Sequence, residues 1–275
     1  MQIVSLGEIL WDVFPDGREA LGGATFNFAF HAARLGHDSC FVSAVGDDPR
    51  GHKALLQATR LGMDTDFIAT HPALETGTVA VTLDAERQPS FVLRRPAAYD
   101  HVTLTDAQLA RIAALRPAWI YFGTLTFVTP HNRATLRRLL DACPGARRFY
   151  DVNLRPDYWS EALVRELLPL AHAVKLNAAE HATLAPVLAS LRPDVRVCVT
   201  LADRGCVLDG VEVPGVAVKV ADAVGAGDAF SAAFLHGLSQ GWDTARIAAF
   251  ANRVGALVVS RPGGTPFWSP EELGA

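Results

Sequence analysis

Short apolar runs alternate with helical patterns along most of this chain, and this alternation constrains its fold more than any other feature. The runs are Ile3 to Leu6, Ser39 to Val45, Trp119 to Phe122, Arg148 to Val152, Ala173 to Leu176 and Val195 to Leu201. Runs that are continuously apolar are typical of strands buried on both faces. We therefore predict an α/β fold with a doubly wound, mostly parallel sheet and helices on both of its faces.

The helical segments between these strands have recognisable ends. Helices are predicted to begin near Ala24, at Asp48-Pro49, at Thr105 and at Thr129-Pro130. A Ser, Thr, Asp or Asn before a helix accepts a hydrogen bond from a free N–H group of the first turn. A Pro at the first helical position has no N–H group that needs a partner. The first two helices end at Gly36 and Gly62, as is common at helix C-termini.

One region departs from the alternation. Thr76 to Leu83 and Ser90 to Arg95 both read as strands, and only a short turn without helical character joins them. We predict that segments at about 9–17 and 76–98 form a small β-strand lid, inserted in a single domain that spans residues 1–275. The lid would lie over the carboxyl ends of the sheet strands, where α/β proteins bind ligands. An ordinary edge hairpin is the alternative.

Composition and charge exclude several classes of function. The net charge is -4, the pI is near 6.1 and there is no basic run, so nucleic-acid binding is not expected. No apolar run has the length of a membrane span, and no basic segment precedes an apolar one at the start as in a signal peptide. The four cysteines are scattered without a CxxC pair, which is consistent with reduced thiols and a cytoplasmic location.

The strongest functional signal lies between Val220 and Phe230. Gly225 and Gly227 precede a helix predicted to begin near Ala226, and Asp228 lies in its first turn. Glycines allow a ligand to approach the backbone, and the free N–H groups and partial positive charge of a helix start suit a phosphate. A carboxylate beside a bound phosphate predicts phosphoryl transfer to a hydroxyl. The alternative is an acid that only stabilises the helix.

The position of Asp228 also raises a difficulty. A helix N-terminus is expected to lower the pKa of this carboxyl, which weakens it as a base. Phosphoryl transfer has a loose transition state, so an ionised aspartate that orients the hydroxyl and accepts its proton late still fits the reaction.

A second polar group precedes the first long helix. Gly22 and Gly23 allow close approach of a small ligand, and Asn27 offers both a donor and an acceptor to a sugar hydroxyl. Asp12, in an otherwise apolar strand-like segment, is a natural partner for two hydroxyls. The alternatives are a turn acid at Asp12 and a solvated helix residue at Asn27.

Three polar strand ends complete the candidate site. Arg155 follows Arg148 to Val152 and is able to bind a phosphate or an acidic group, unless it pairs with Asp157. Asn177 and Glu180 lie three apart at a predicted helix start, where Glu180 would hold Mg²⁺ directly or through water, or form a capping box with Asn177, or both. Thr200 to Gly205 is a weaker candidate for a nucleotide border, followed by a predicted hairpin.

Together these segments resemble the ribokinase-like, or PfkB-type, carbohydrate kinases from Gly7 to about Pro266, nearly the whole chain. Gly22-Gly23 with Asn27 resembles the family's amino-terminal signature, and Asp222 to Asp228 resembles its carboxy-terminal signature. Residues 151–156 with Trp159, and residues 122–125, are similar to the fructokinase branch.

The resemblance implies an ATP-dependent sugar kinase with fructose as the expected sugar. Asp228 would be the general base, and backbone N–H groups of Gly225, Ala226, Gly227 and Asp228 would form the anion hole. The sugar would be bound by Asp12, Gly22, Gly23, Asn27 and Arg155. The nucleotide would be bordered by Asn177, Thr200, Gly205, Asn252 and Gly264, with Glu180 organising Mg²⁺. A monovalent cation (K⁺) near the anion hole and a homodimer formed through the lid are also implied.

Two departures from the family pattern leave alternatives open. Ala223 replaces the usual Thr or Ser, which affects cation or phosphate contacts, and Ala202 replaces a usual Gly, which would crowd the nucleotide loop.

Other substrates are ribose, a nucleoside, or 2-keto-3-deoxygluconate, whose carboxylate would need Arg155, Arg94 or Arg95. A regulator that binds sugar or nucleotide without turnover is a further alternative. A nicotinamide dehydrogenase and a P-loop kinase are disfavoured, because neither glycine fingerprint is present.

Overall fold

The computed structural model describes residues 1–83 and 89–273. The strands are β1 Gln2–Leu6, β2 Leu10–Val13, β3 Glu19–Gly22, β4 Asp38–Gly46, β5 Ile68–His71, β6 Gly77–Leu83, β7 Pro89–Arg94, β8 Trp119–Gly123, β9 Arg147–Asp151, β10 Ala173–Asn177, β11 Arg196–Thr200, β12 Cys206–Leu208 and β13 Val211–Val213. The α-helices are α1 Ala24–Arg34, α2 Pro49–Arg60, α3 Asp106–Ala114, α4 Pro130–Ala142, α5 Glu161–Leu167, α6 Ala178–Leu188, α7 Ala226–Ser239 and α8 Thr244–Val259.

The large sheet confirms the predicted α/β architecture. Its strand order is β13-β12-β11-β10-β9-β8-β1-β4-β5. The strands from β11 to β5 are parallel, whereas β12 and β13 form an antiparallel hairpin at one edge. All six strands predicted from the apolar runs are present in it, as is the hairpin predicted after Thr200.

Helices cover both faces of this sheet, and each face has its own core. On one face, Val4, Ile120 and Val174 belong to a buried cluster with residues of α3, α4, α5 and α6. On the other, Ile3 and Phe149 pack with residues of α1, α7 and α8, and α2 adds a neighbouring cluster. Burial on both faces explains why these strands are continuously apolar in sequence.

A second, four-stranded sheet in the order β3-β2-β6-β7 fits the predicted lid. Strand β2 pairs in parallel with β6, and the other pairs are antiparallel. Leu10, Val79 and Leu93 pack with Tyr99 and Leu125, which fixes the base of this sheet against the main one. Most of the predicted turn between β6 and β7 lies outside the described residues.

Two further observations bear on the predictions from composition. In residues 1–83 and 89–273, no helix is both long and apolar enough to span a membrane. All four cysteines are buried and none forms a disulfide. The single-domain boundary and the cytoplasmic location stay predictions.

Candidate active site

A cleft of about 1290 Å³ lies between the lid and the carboxyl ends of the main-sheet strands. Seven of the predicted site residues line it, namely Asp12, Gly23, Asn27, Arg155, Gly225, Gly227 and Asp228. They come from the lid, from the start of α1, from the segment after β9 and from the start of α7. The topology therefore brings together residues that are as much as 216 positions apart in sequence.

The start of α7 is open toward this cleft. Gly225 caps the helix with a φ of 78°, in the left-handed region that favours glycine. A Cβ atom at Gly225 would also lie 2.3 Å from the carbonyl oxygen of Gly264. Within the described residues, the amides of Gly227 and Asp228 have no hydrogen-bond acceptor. Free amides at a helix start form a site suited to an anion.

Asp228 lies in the first turn of α7 with only 8% of its surface exposed. The side-chain amide of Asn27 donates a hydrogen bond to its Oδ2 atom at 2.8 Å. Burial raises the pKa of Asp228 to about 7, although the Asn27 hydrogen bond and the charges of Lys175 and Arg155 oppose this rise. The predicted lowering of this pKa is therefore wrong, because loss of water around the carboxylate outweighs the groups that favour its charged form.

Asn27 connects helix α1 to Asp228. It is 3% exposed, and its Oδ1 atom is buried without a hydrogen-bond partner in the described part of the chain. It is therefore not the solvated helix residue that the sequence left open. A Cβ atom at Gly264 would lie 2.9 Å from its Nδ2 atom, so the Gly264 backbone packs directly on this amide.

Asp12 enters the cleft from strand β2 of the lid. Burial raises its pKa to about 6, Arg155 opposes this rise and Asp222 adds to it. A Cβ atom at Gly22 would lie 3.2 Å from the Oδ2 atom of Asp12, so this glycine makes room for the carboxylate. The geometry leaves Asp12 facing the cleft rather than closing a turn.

Arg155 faces the same space from the other side. The backbone carbonyl of Arg155 accepts a hydrogen bond from the Tyr158 amide at 3.0 Å. Its side chain forms no hydrogen bond or ion pair within the described residues, so the alternative pairing with Asp157 is not formed there. By contrast, Arg95 pairs with Asp100 and donates to the carbonyl of Leu125 at 3.1 Å. Arg94 is exposed and, like Arg95, does not line the cleft. Of the three arginines considered for an acidic sugar, Arg155 alone is placed to meet one.

Glu8 is a buried carboxylate that the sequence reasoning did not use. It accepts hydrogen bonds from the Ala24 amide at 2.9 Å, from the Thr25 hydroxyl at 3.2 Å and from the Thr126 hydroxyl at 2.9 Å. It therefore fills the N-terminus of α1 and fixes the helix that carries Asn27. A lone acid directly after the apolar run of β1 was the available signal.

Asp151 and Lys175 form a second buried polar group that the sequence reasoning did not assign. The Lys175 ammonium lies 3.2 Å from both carboxylate oxygens of Asp151. The hydroxyls of Tyr121 and Ser231 donate to Asp151 at 2.9 and 2.7 Å. Burial lowers the pKa of Lys175. The negative charges of Asp151, Asp228 and Glu180 raise it by a larger amount, so the pKa lies above its usual value. A single lysine inside an apolar strand was the signal here.

Asn177 and Glu180 form the capping box that was one of their two sequence interpretations. The Glu180 amide donates to Asn177 Oδ1 at 2.9 Å, and Glu180 Oε2 accepts from the Asn177 amide at 2.8 Å. Glu180 Oε1 accepts from the Leu154 amide at 2.7 Å, and burial raises the pKa of Glu180.

The donor set is compatible with Mg²⁺ bound largely through water. No group of three or more His, Cys, Asp or Glu side chains in residues 1–83 and 89–273 is arranged to hold a metal. Mg²⁺ often uses only one or two carboxylates together with substrate phosphates and water. Each carboxylate oxygen of Glu180 accepts one hydrogen bond from a backbone amide and keeps a further lone pair. Glu180 could therefore bind a water ligand of Mg²⁺ while it remains in the capping box.

None of the six residues predicted to bind the nucleotide or Mg²⁺ lines this cleft, namely Asn177, Glu180, Thr200, Gly205, Asn252 and Gly264. Asn252 donates to the carbonyls of Val213 and Pro214 at 3.2 and 3.0 Å, and a Cβ atom at Gly205 would lie 2.2 Å from the Val213 carbonyl. These two residues hold the segment after β13 in place, and their nucleotide role stays a prediction. Ala202 adopts a φ of 56°, so a side chain there strains the backbone at an exposed position. The predicted crowding of a nucleotide loop stays a prediction.

Comparison with known proteins gives consistent similarities. The family model described as "pfkB family carbohydrate kinase" matches residues 13–271. The putative sugar kinase PH1459 of Pyrococcus horikoshii is 31% identical over 284 residues, which cover 95% of this chain and 91% of that protein. Its crystal structure in complex with ATP superposes with a TM-score of 0.87, at 29% identity, over 98% of this chain and 96% of that chain.

Two fructokinases are similarly related. The fructokinase of Escherichia coli is 32% identical over 293 residues, covering 94% of this chain and 93% of that protein. The crystal structure of the Vibrio cholerae fructokinase, bound to fructose, ADP and a calcium ion, has a TM-score of 0.83 at 27% identity. That match covers 99% of this chain and 98% of the other.

Proposed function

The chain belongs to the pfkB family of carbohydrate kinases, and from this membership we propose that it is a fructokinase, which transfers the γ-phosphate of ATP to a primary hydroxyl of fructose. The coarser activity, an ATP-dependent sugar kinase, follows from the family itself. One observation carries the proposal: the buried carboxylate of Asp228 lies beside the free amides of the α7 start and faces the cleft.

In the proposed reaction, Asp228 receives the proton of the accepting hydroxyl. A pKa of about 7 suits this role, because a general base works best when its pKa lies near the operating pH. The Asn27 amide fixes the carboxylate through Oδ2 and leaves Oδ1 of Asp228 for the hydroxyl. The amides of Gly225, Gly227 and Asp228 would bind the negative charge of the migrating phosphoryl group, together with the amide of Ala226, which also makes a long contact of 3.5 Å with the Ala223 carbonyl.

The nucleotide side of the proposal rests on Glu180 and Asn177. Glu180 would hold Mg²⁺ through water, and the ion would neutralise charge on the phosphates. A K⁺ ion near the anion hole is also proposed, since a Vibrio cholerae fructokinase variant has been crystallised in a form bound to fructose, ADP and potassium. We assign the ATP border to Thr200, Gly205, Asn252 and Gly264.

Fructose is supported by the two bacterial fructokinases and by the polar pair on the sugar side. Asp12 would accept hydrogen bonds from two sugar hydroxyls, and Gly22 and Gly23 would let the sugar approach the backbone. Ribose and a nucleoside are alternative acceptors, and an aminoimidazole riboside kinase of Salmonella typhimurium is 29% identical to this chain.

One observation favours a second acceptor, 2-keto-3-deoxygluconate. Arg155 lines the cleft, and its side chain forms no ion pair within the described residues. A free guanidinium is suited to bidentate binding of a carboxylate. A sugar acid would supply that carboxylate, whereas fructose would not.

A sugar panel with coupled detection of ADP tests the proposal. Fructose, ribose, a nucleoside and 2-keto-3-deoxygluconate are compared with wild-type protein and with Asp228→Asn. We expect sugar-dependent ADP release with the highest kcat/KM for fructose and its near loss in the variant. A highest value for 2-keto-3-deoxygluconate, reduced selectively by Arg155→Met, would replace fructose by the sugar acid. Sugar binding without ADP release would instead indicate a regulator.

A further inference from the structure

Lys175 occupies a place that a purely structural lysine does not need. It lies in the buried parallel strand β10, and its side chain is only 9% exposed, yet that exposed part lines the catalytic cleft. A Cβ atom at Gly227 would lie 3.2 Å from its Nζ atom. The ammonium is thus next to the first turn of α7, where the free amides begin.

Asp151 holds the ammonium in this position without using all of its donors. The two Lys175–Asp151 contacts are both 3.2 Å, at the long end for a hydrogen bond to a charged acceptor. Tyr121 and Ser231 supply shorter bonds to the same carboxylate and fix its orientation. An ammonium has three N–H donors. The third has no acceptor within the described residues, so it is available to a group that enters the cleft.

The charges around the cleft support the same conclusion. Asp151 and Asp228 carry two negative charges when ionised, and Lys175 and Arg155 carry two positive ones. Further acids line the cleft, among them Glu8, Asp12 and Asp222, so acidic side chains outnumber basic ones there. A phosphoryl group at the start of α7 adds more negative charge, and Lys175 is one of the few positive groups beside it. An ion pair that only filled the core would be replaceable by apolar residues, since buried ion pairs add little net stability.

We propose that Lys175 is a further catalytic residue of this kinase, whose ammonium contacts the phosphoryl group during transfer while Asp151 holds it beside the start of α7. This proposal rests on the proposed function. The bond between the γ-phosphorus and the bridging oxygen of ATP breaks, and a bond forms between that phosphorus and the sugar oxygen. The hydroxyl proton passes to Asp228. Lys175 keeps its protons and neutralises charge on the non-bridging oxygens.

Two variants that both lack the carboxylate of Asp151 are compared to test this role of Lys175. Asp151→Asn keeps the ammonium and replaces its partner by an amide of the same shape. The double variant Asp151→Asn, Lys175→Met removes the ammonium and leaves no buried charge unpaired. We expect kcat of the double variant to be about 10²-fold lower than that of Asp151→Asn, the usual effect of losing one transition-state contact.

A binding measurement separates catalysis from support of the fold. A residue that contacts only the transferring group should not alter the affinity for ADP alone. We expect ADP with aluminium fluoride and the best sugar of the panel to bind the double variant at least about tenfold more weakly than Asp151→Asn, with ADP affinity unchanged. Should the double variant not fold, Lys175→Gln in the native background is compared with wild type in the same way.

Two results would overturn the proposal: equal kcat in the double variant and Asp151→Asn, or equal affinity of both for the ADP and aluminium fluoride complex. The wild-type rate keeps the two proposals apart. If wild type shows no sugar-dependent ADP release, the proposed function fails. If it does, and loss of the ammonium has no effect, only the role of Lys175 fails.

Discussion

At the scale of single residues, the proton affinity of Asp228 is set by competition between burial and neighbouring charge. Burial raises the pKa to about 7, against the Asn27 hydrogen bond and the charges of Lys175 and Arg155, and Asp151 adds to the rise. A carboxylate in water would be a weak base at neutral pH. In this cleft the carboxylate of Asp228 has a higher proton affinity, so transfer of a proton to it from a hydroxyl costs less free energy.

This residue predicts a pH profile. Below a pH of about 7, Asp228 becomes protonated in the free protein and no longer accepts the proton of the hydroxyl. We expect kcat/KM for the sugar to fall about tenfold for each unit of pH below that point. Asp228→Asn should lower kcat by a factor of about 10² to 10⁴ with sugar affinity near normal, and should lose this acidic limb. If kcat/KM of Asp228→Asn still fell at low pH as it does in wild type, the fall would be due to another titrating group.

Asp228 and its glycines were predictable because the helix start, the glycines and the acid are contiguous in sequence. Lys175, Asp151 and Glu8 were not, because their importance comes from contacts between distant segments. Glu8 reaches Thr126, 118 residues away, and Asp151 meets Ser231, 80 residues away. A charged residue in an apolar run signals burial, but the run does not say what the charge faces.

At the scale of elements, the start of α7 depends on two glycines for different reasons. Gly225 has a left-handed φ, and its Cα faces the Gly264 backbone. Gly227 is already helical and has free space except on the side of the Lys175 ammonium. Backbone cannot move aside for a new methyl group, whereas the end of a lysine side chain can shift by a few tenths of an ångström.

The pair Gly225→Ala and Gly227→Ala tests this difference. We expect Gly225→Ala to lower the free energy of unfolding by about 2 kcal/mol or more, because the left-handed backbone and the contact with Gly264 both oppose a side chain. Gly227→Ala should remain within about 1 kcal/mol of wild type, since alanine favours the helix. Urea denaturation measures both, and equal losses would show that the two positions share one constraint. The kcat of folded Gly227→Ala is expected to fall, because its methyl group displaces the ammonium.

The elements themselves were predictable to different degrees. The apolar strands and capped helices of the parallel sheet follow from burial on both faces and from clear end signals. Strand β3 (Glu19–Gly22) was missed because it is short and its pattern is obscured by Glu19, and β5 (Ile68–His71) because only half of it is apolar. Strand β3 is held by pairing with β2, a tertiary contact that no local pattern records.

At the scale of the whole molecule, two pairs of buried groups respond to pH in opposite directions. The pKa values of Asp12 and Asp228 are raised to about 6 and about 7 by burial. Those of His31 and His37 are lowered to about 4, again by burial. The carboxyls favour the folded state at low pH and oppose it as pH rises through 6 and 7. The imidazoles favour it above about 6.5 and oppose it as pH falls toward 4. Between these limits the two pairs offset each other.

Removal of one carboxyl should expose this balance. Unfolded chains ionise Asp228 near its usual pKa, whereas the folded protein does so only near 7, so ionisation at pH 8 weakens the fold. We expect Asp228→Asn to be more stable than wild type at pH 8 by an amount on the order of 4 kcal/mol, and this gain to vanish near pH 4. Urea denaturation at several pH values measures the difference, with Asp203→Asn as an exposed control of the same charge change. A gain that is independent of pH would show that packing, and not the cost of a buried charge, separates the two proteins. In that case the ionised carboxylate of Asp228 would not lower the stability of the folded protein.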